Sequence, residues 1–210
     1  MVRKKALDRT GYHNYNERCS YWGEDMNTVV TSKEAILAAS RELIRSRGWP
    51  AVSIRSVAGA CGVSVGSIYN YFDSKADLVS ATVESVWCDI FRLPEQGEVF
   101  RDTLACVSWI YQRMEYGCQQ YPGFFTLHSV GFLGMEKSNG RQRMKQTWRH
   151  ILEGLCTVLK RDAKVRSDAF DRKFTAEKFA DILFSLFLSA ILRGDYNPDP
   201  VLELIRRAVY

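Results

Sequence analysis

Long apolar runs are missing from this 210-residue chain. The longest, Phe179–Leu192, covers fourteen residues and already contains Asp181 and Ser185, against the ~20 needed to span a bilayer. The N-terminal stretch MVRKKALDRTGYHNYNER is basic but has no apolar segment of the kind a secretory signal carries. A soluble protein working in the cytoplasm is the expectation. Histidine is scarce: His13, His128 and His150 have no His, Asp, Glu or Cys at metal-ligand spacing. The six cysteines, at 19, 61, 88, 106, 118 and 156, form no C-x-x-C pair. Most sit among apolar neighbours and read as reduced, buried thiols, with Cys106 and Cys118 as candidates for redox sensing. Neither a metal nor a cofactor is expected.

Strand patterns, internal repeats, phosphate loops and paired carboxylates are absent too. Gly62-Val63-Ser64-Val65-Gly66 matches G-x-S-x-G formally. That motif works only where a strand turns sharply into a helix above a sheet, with a histidine as base. Here a helical pattern precedes it and no histidine is near. Nothing points to an enzyme.

Net charge is +5, yet residues 31–91 hold six Lys or Arg and six Asp or Glu. Charge therefore contributes nothing to a nucleic-acid reading of that region.

What is present is helical periodicity. At 46% hydrophobic content the chain can bury one sizeable core or two small ones. Thr31-x-x-Glu34 has the form of a capping box and opens a first helix. Its apolar stripe is Ile36, Ala39, Ser40, Leu43 and Ile44, and Gly48 with Pro50 ends it. Ser53, Ser64 and Ser74 each have N-cap chemistry for the next three helices. Ile54, Val57, Ala58 and Cys61 recur at i, i+3, i+4 and i+7, placing them on one face. Gly62 supplies a left-handed corner and Val63 an apolar plug. Ile68 and Phe72 face back toward the preceding helix. This is a helix-turn-helix, whose second helix is the kind that enters a DNA major groove.

Ala58, Gly62-Val63-Ser64, Gly66-Ser67-Ile68-Tyr69, Tyr71-Phe72, Ser74-Lys75 and Leu78 stand in the order found in the TetR family. Over roughly Thr31–Cys88 the chain resembles that family's DNA-binding part. Two departures are a long arm before Thr31 and Asn70-Tyr71 in place of a pairing that ends in histidine. The resemblance implies an all-α protein: an arm at 1–30, a helix-turn-helix domain at 31–78 with its motif at 53–72, and a ligand-binding and dimerisation domain at 79–210. The arm itself reads as disordered. A minor-groove role for Arg3, Lys4 and Lys5, and a natural start at Met26, are the alternatives.

Geometry leaves Val65, Gly66, Ser67 and Asn70 to meet base edges. Asn70 can pair with adenine, Ser67 can serve several bases, and Val65 offers apolar contact or else flanks the core. Ser53, Arg55, Ser64, Tyr69, Tyr71 and Lys75 are the candidates for positioning phosphates, Tyr69 and Lys75 matching the family most closely. Phe72 reads as packing, and Tyr71 has packing as its alternative.

By resemblance, an effector cavity lies among the helices after Leu78. Trp87, Trp109, Met114, Phe124, Phe125, His128, Phe132 and Trp148 supply the aromatic and sulfur side chains such a cavity needs. The helix Thr175–Arg193 is apolar nearly all round and must be covered nearly all round. With the final helix it is expected to form an intersubunit four-helix bundle through Ile182, Leu186, Ser189, Leu202 and Ile205. The expected function is a homodimeric regulator, most often a repressor in this family. It would hold a palindromic double-stranded operator and let go on binding an apolar or aromatic effector. The rivals are a same-fold architectural or cell-cycle protein without an effector, and an all-α small-molecule-binding protein.

Overall fold

The computed structural model describes residues 31–92, 101–125 and 139–210, the last without the side chains of 139–148. Among these residues every regular element is a helix, with no strand.

Helix α1, Lys33–Arg47, is capped by Ser32, whose hydroxyl accepts from the Ala35 N–H at 3.1 Å. The cap expected at Thr31 thus sits one residue later. Tyr71 accounts for the shift: its hydroxyl donates to the Thr31 carbonyl at 2.6 Å, which holds Thr31 outside the helix. Gly48 (φ 77°) ends α1, and a 3-10 turn, Trp49–Ala51, leads onward.

Helix α2, Ile54–Ala60, opens on a reciprocal box between Ser53 and Ser56. It closes with the Val63 N–H on the Ala58 carbonyl at 3.0 Å and the Gly62 N–H on the Gly59 carbonyl at 3.2 Å. That pair of bonds is a Schellman closure, which needs the left-handed residue that Gly62 (φ 67°) provides. Helix α3, Val65–Tyr69, is short and capped by Ser64. Helix α4, Lys75–Ile90, is capped by Ser74 and continues unbroken into the second half of the molecule. Buried Ile36, Ile44, Val57, Ile68, Phe72 and Leu78 join these four helices in one core.

The remaining described helices are α5 (Thr103–Gln120), α6 (Asn139–Arg161), α7 (Ala176–Arg193) and α8 (Asp199–Val209). Helix α6 packs on α7, and α5 packs on both α6 and α8. Asp162 ties the C-terminus to this body. Its Oδ2 accepts from the Thr103 N–H at 2.7 Å and from the Tyr210 hydroxyl, and its Oδ1 accepts from the Lys164 N–H at 3.0 Å. Burial pushes this carboxyl's pKa up, but the hydrogen bonds prevail and leave it below the usual carboxylate range. A group whose folded pKa is depressed adds stability above its unfolded pKa and loses it as pH falls through the folded value. Asp162→Ala is therefore expected to cost ~1–3 kcal/mol at pH 7 by orphaning these donors. The gap from wild type should narrow below pH ~4, as read by urea melts across pH; a pH-independent gap would rule out ionised Asp162 as the tie.

The residues expected at a dimer face differ in exposure. Leu202 (8% exposed) and Ile205 (fully buried) are covered within the single chain. The final helix turns its most apolar side inward onto α5. On the outside, Ile182 (43%), Leu192 (63%) and Leu204 (42%) are left uncovered, with Leu186 and Ser189 half-buried beside them. Nor does α7 leave its whole circumference open: Phe179, Leu183, Phe184, Phe187 and Ala190 are buried within the same chain.

Candidate nucleic-acid interface and effector region

The first turn of α3 stands clear of the protein because two side chains hold it from behind. Ile68 is fully buried and Phe72 nearly so. Their period puts Val65, Gly66, Tyr69 and Asn70 on the open side, where all four are exposed. Val65 is a solvent-facing residue rather than a flank of the core. Ser67 is half-buried and shares its hydroxyl with the cap: Ser64 Oγ accepts from the Ser67 N–H at 3.1 Å and lies 2.9 Å from Ser67 Oγ. A Cβ placed on Gly66 would meet only Ser64 Oγ, at an ordinary 3.7 Å. The protein itself does not require glycine there.

Among the proposed phosphate contacts, Arg55 and Lys75 are exposed, and Tyr69 presents half its surface to solvent. Ser53 differs, being half-buried with its hydroxyl engaged by Ser56. Tyr71 differs further. The proton its hydroxyl would offer a phosphate is already given to Thr31. Spacing alone could not reveal that engagement, because the acceptor lies ahead of α1, forty residues earlier in the chain.

Trp87, Phe124 and Phe125 of the expected effector region are buried together. The Trp87 ring stacks on Phe91 (5.3 Å between centroids) and meets Phe124 and Phe125 edge-on at 5.6 and 5.4 Å. Trp109 is half-buried against Phe91, and Met114 is buried. His128, Phe132 and the Trp148 side chain lie outside the described residues. Helix α5 comes so close that a Cβ on Gly117 would fall 2.8 Å from Ile90 and 2.9 Å from Phe125. Within this packing Trp87 Nε1 is buried and has no hydrogen-bond partner among the described residues. Of the described cysteines Cys106 is buried, whereas Cys61, Cys88, Cys118 and Cys156, expected to be mostly buried, are half-buried. Burial pushes the Cys106 thiol up to about 12 and raises that of Cys118, disfavouring the thiolate at both.

The model for bacterial regulatory proteins of the tetR family matches residues 36–82, which are α1 to the middle of α4. This stretch is a TetR-family DNA-binding domain. The likeness to known proteins extends beyond the matched domain. Nucleoid occlusion factor SlmA of Vibrio cholerae is 26% identical over 142 residues, covering 67% of this chain and 72% of the relative. Escherichia coli NemR in its reduced form superposes with a TM-score of 0.61 at 19% identity, over 84% of this chain and 97% of that one. The multidrug binding protein EbrR, complexed with imidazole, gives 0.58 at 16% identity, over 90% and 96%. A TetR transcription regulator from Haloarcula marismortui gives 0.53 at 21%, over 83% and 92%. At these identities the solved structures show a shared all-helical fold. Among the described residues no helix is long and apolar enough to cross a membrane, and no group of His, Cys, Asp or Glu is arranged to hold a metal.

Proposed function

We propose that this TetR-family chain is a homodimeric repressor that binds a palindromic operator and is released by an apolar or aromatic effector. The exposed first turn of α3, anchored by Ile68 and Phe72, is the observation that carries the reading. Val65, Gly66, Ser67 and Asn70 read base edges, while Arg55, Ser64, Tyr69 and Lys75 position phosphates. Ser53 and Tyr71 act through the protein, capping α2 and pinning Thr31. Dimerisation uses the uncovered apolar side of α7 and α8, with Ile182, Leu186 and Ser189 joined by Leu192 and Leu204. Two-fold symmetry then sets half-sites about one helical turn (~34 Å) or a multiple apart.

The effector enters the aromatic region of Trp87, Trp109, Met114, Phe124 and Phe125. EbrR, a multidrug binding protein of similar fold, was solved with the aromatic compound imidazole. A hydrogen-bond acceptor on the effector would relieve the unpartnered Trp87 N–H, whose burial costs ~1–3 kcal/mol. Release requires unequal affinity for two states, and a 1:99 to 99:1 switch needs ~5.5 kcal/mol.

Selection of bound fragments from a randomised DNA library, followed by gel-shift titration of variants, tests the role assignment. Tyr69→Ala and Lys75→Ala are expected to weaken binding to all sequences alike. Ser67→Ala and Asn70→Ala should change preference at particular bases by ~1–3 kcal/mol. Uniform effects from all four would refute the division of labour.

The relation to a nucleoid occlusion factor favours one alternative, a DNA-binding protein of the same fold that works without an effector. A screen of aromatic compounds by thermal shift separates the two. Compounds that raise the melting temperature and lower operator affinity support the effector reading; a screen without such compounds favours the alternative.

A further inference from the structure

Helix α4 ends at a junction of three elements. Asp89, on its last turn, accepts two hydrogen bonds on the same oxygen. Arg45 Nη2 of α1 reaches Asp89 Oδ2 at 2.7 Å, and the Tyr121 hydroxyl reaches it at 2.7 Å from the far end of α5. The Arg45 guanidinium also lies over the Tyr121 ring, 4.9 Å from its centroid. Arg113 of α5 donates to the carbonyls of Asp89 (3.0 Å) and Ile90, holding the same helix end from a second side. Close by, Arg41 of α1 donates to Ser85.

Tyr121 is fully buried, and its carbonyl receives the Phe124 N–H at 3.0 Å. Phe124 in turn meets Trp87 of the effector region and Trp49, which follows α1, with centroids 5.6 and 6.1 Å apart. Tyr121 therefore touches the DNA-binding part through Asp89 and Arg45, and the aromatic region through its own backbone. Burial and the adjacent carboxylate both raise its phenol pKa, so the donor stays protonated at neutral pH. Arg45 Nε is buried and unbonded, so this guanidinium has a donor free for a second arrangement.

We propose that Asp89, gripped at one oxygen by Arg45 and Tyr121, is a latch through which the aromatic region sets the position of the DNA-binding helices. A molecule that displaces Phe124 and Phe125 drags Tyr121 away. Arg45 then keeps Asp89 but loses the Tyr121 ring. The joined ends of α1 and α4, held to α5 at this corner through Arg113 alone, are free to move with the helix-turn-helix against α5. The latch rests on the effector-released repressor reading for its effect on DNA, but its mechanical part stands apart from it.

Tyr121→Phe removes one hydroxyl and keeps the ring under Arg45. In the full-length protein it is expected to lower affinity for the library-selected operator at least about fivefold, the low end of ordinary coupling. The melting temperature should fall by no more than ~4 °C, in keeping with the loss of one hydrogen bond. Amide hydrogen exchange should quicken around Arg45 in α1. Asp89→Ala should show the same pattern, and adding Tyr121→Phe to it should change nothing further. Tyr196→Phe, which removes a tyrosine hydroxyl bonded to Cys118 instead, should leave α1 exchange as in the wild type. Unchanged α1 exchange in Tyr121→Phe, additive effects in the double variant, or the same response from Tyr196→Phe would overturn the latch. If the wild type selects no DNA, the repressor reading fails and the exchange measurements alone decide the latch.

Discussion

Ile182→Arg is expected to leave each protomer folded and to abolish dimerisation. Ile182 is 43% exposed in the single chain, so an arginine there can carry its charge out to solvent while its stem keeps the covered side. In a two-fold interface the same residue is presented by both copies, and its charge is buried without a partner. An uncompensated buried charge costs ~3–5 kcal/mol, which at 1.4 kcal/mol per tenfold weakens association by a factor of about 100 or more. Operator binding should fall with it, because one short recognition helix cannot hold a palindromic site alone. Sedimentation equilibrium and gel shift read the two effects together. Leu202→Arg is the informative contrast: it places the charge inside the protomer and should unfold the protein. A dimer that survives Ile182→Arg, with operator affinity intact, would remove the outer side of α7 from the interface.

Gly66→Ala should separate folding from DNA binding. The added methyl has room within the protein and replaces a poor helix former, so stability should rise by up to ~1 kcal/mol. The same methyl projects from the open face of α3, where the proposed docking brings backbone close to the groove. Operator affinity is expected to drop about tenfold or more, or ~1.4 kcal/mol. Calorimetry beside gel shift checks the opposed signs. A variant that is more stable and binds DNA as well as wild type would show that the duplex does not come near Gly66.

The DNA-binding domain was legible because its instructions are local. Ser53, Ser64 and Ser74 each cap the helix that follows within three residues, and the Gly62 corner closes its own Schellman motif. One slip, Thr31 for Ser32, shows where local reading stops. Two adjacent hydroxyls can both cap, and a tyrosine forty residues away chose between them. The dimer face was harder for a similar reason. Amphipathicity says that Leu202 and Ile205 need cover, but not whether their own chain or a second copy supplies it. The aromatic region was visible as composition, while the engagement of Tyr71 and the latch at Asp89 were not.

Helix boundaries, the corner at Gly62 and the outward turn of α3 thus follow from neighbours a few residues apart, since caps, periodicity and left-handed backbone act within a turn or two of chain. Which apolar faces meet inside one protomer, which tyrosine protons are already committed, and which carboxylate joins α1 to α5 depend on contacts between distant segments. Those contacts form only when the whole body packs, because burial is shared among elements that no short stretch of sequence contains.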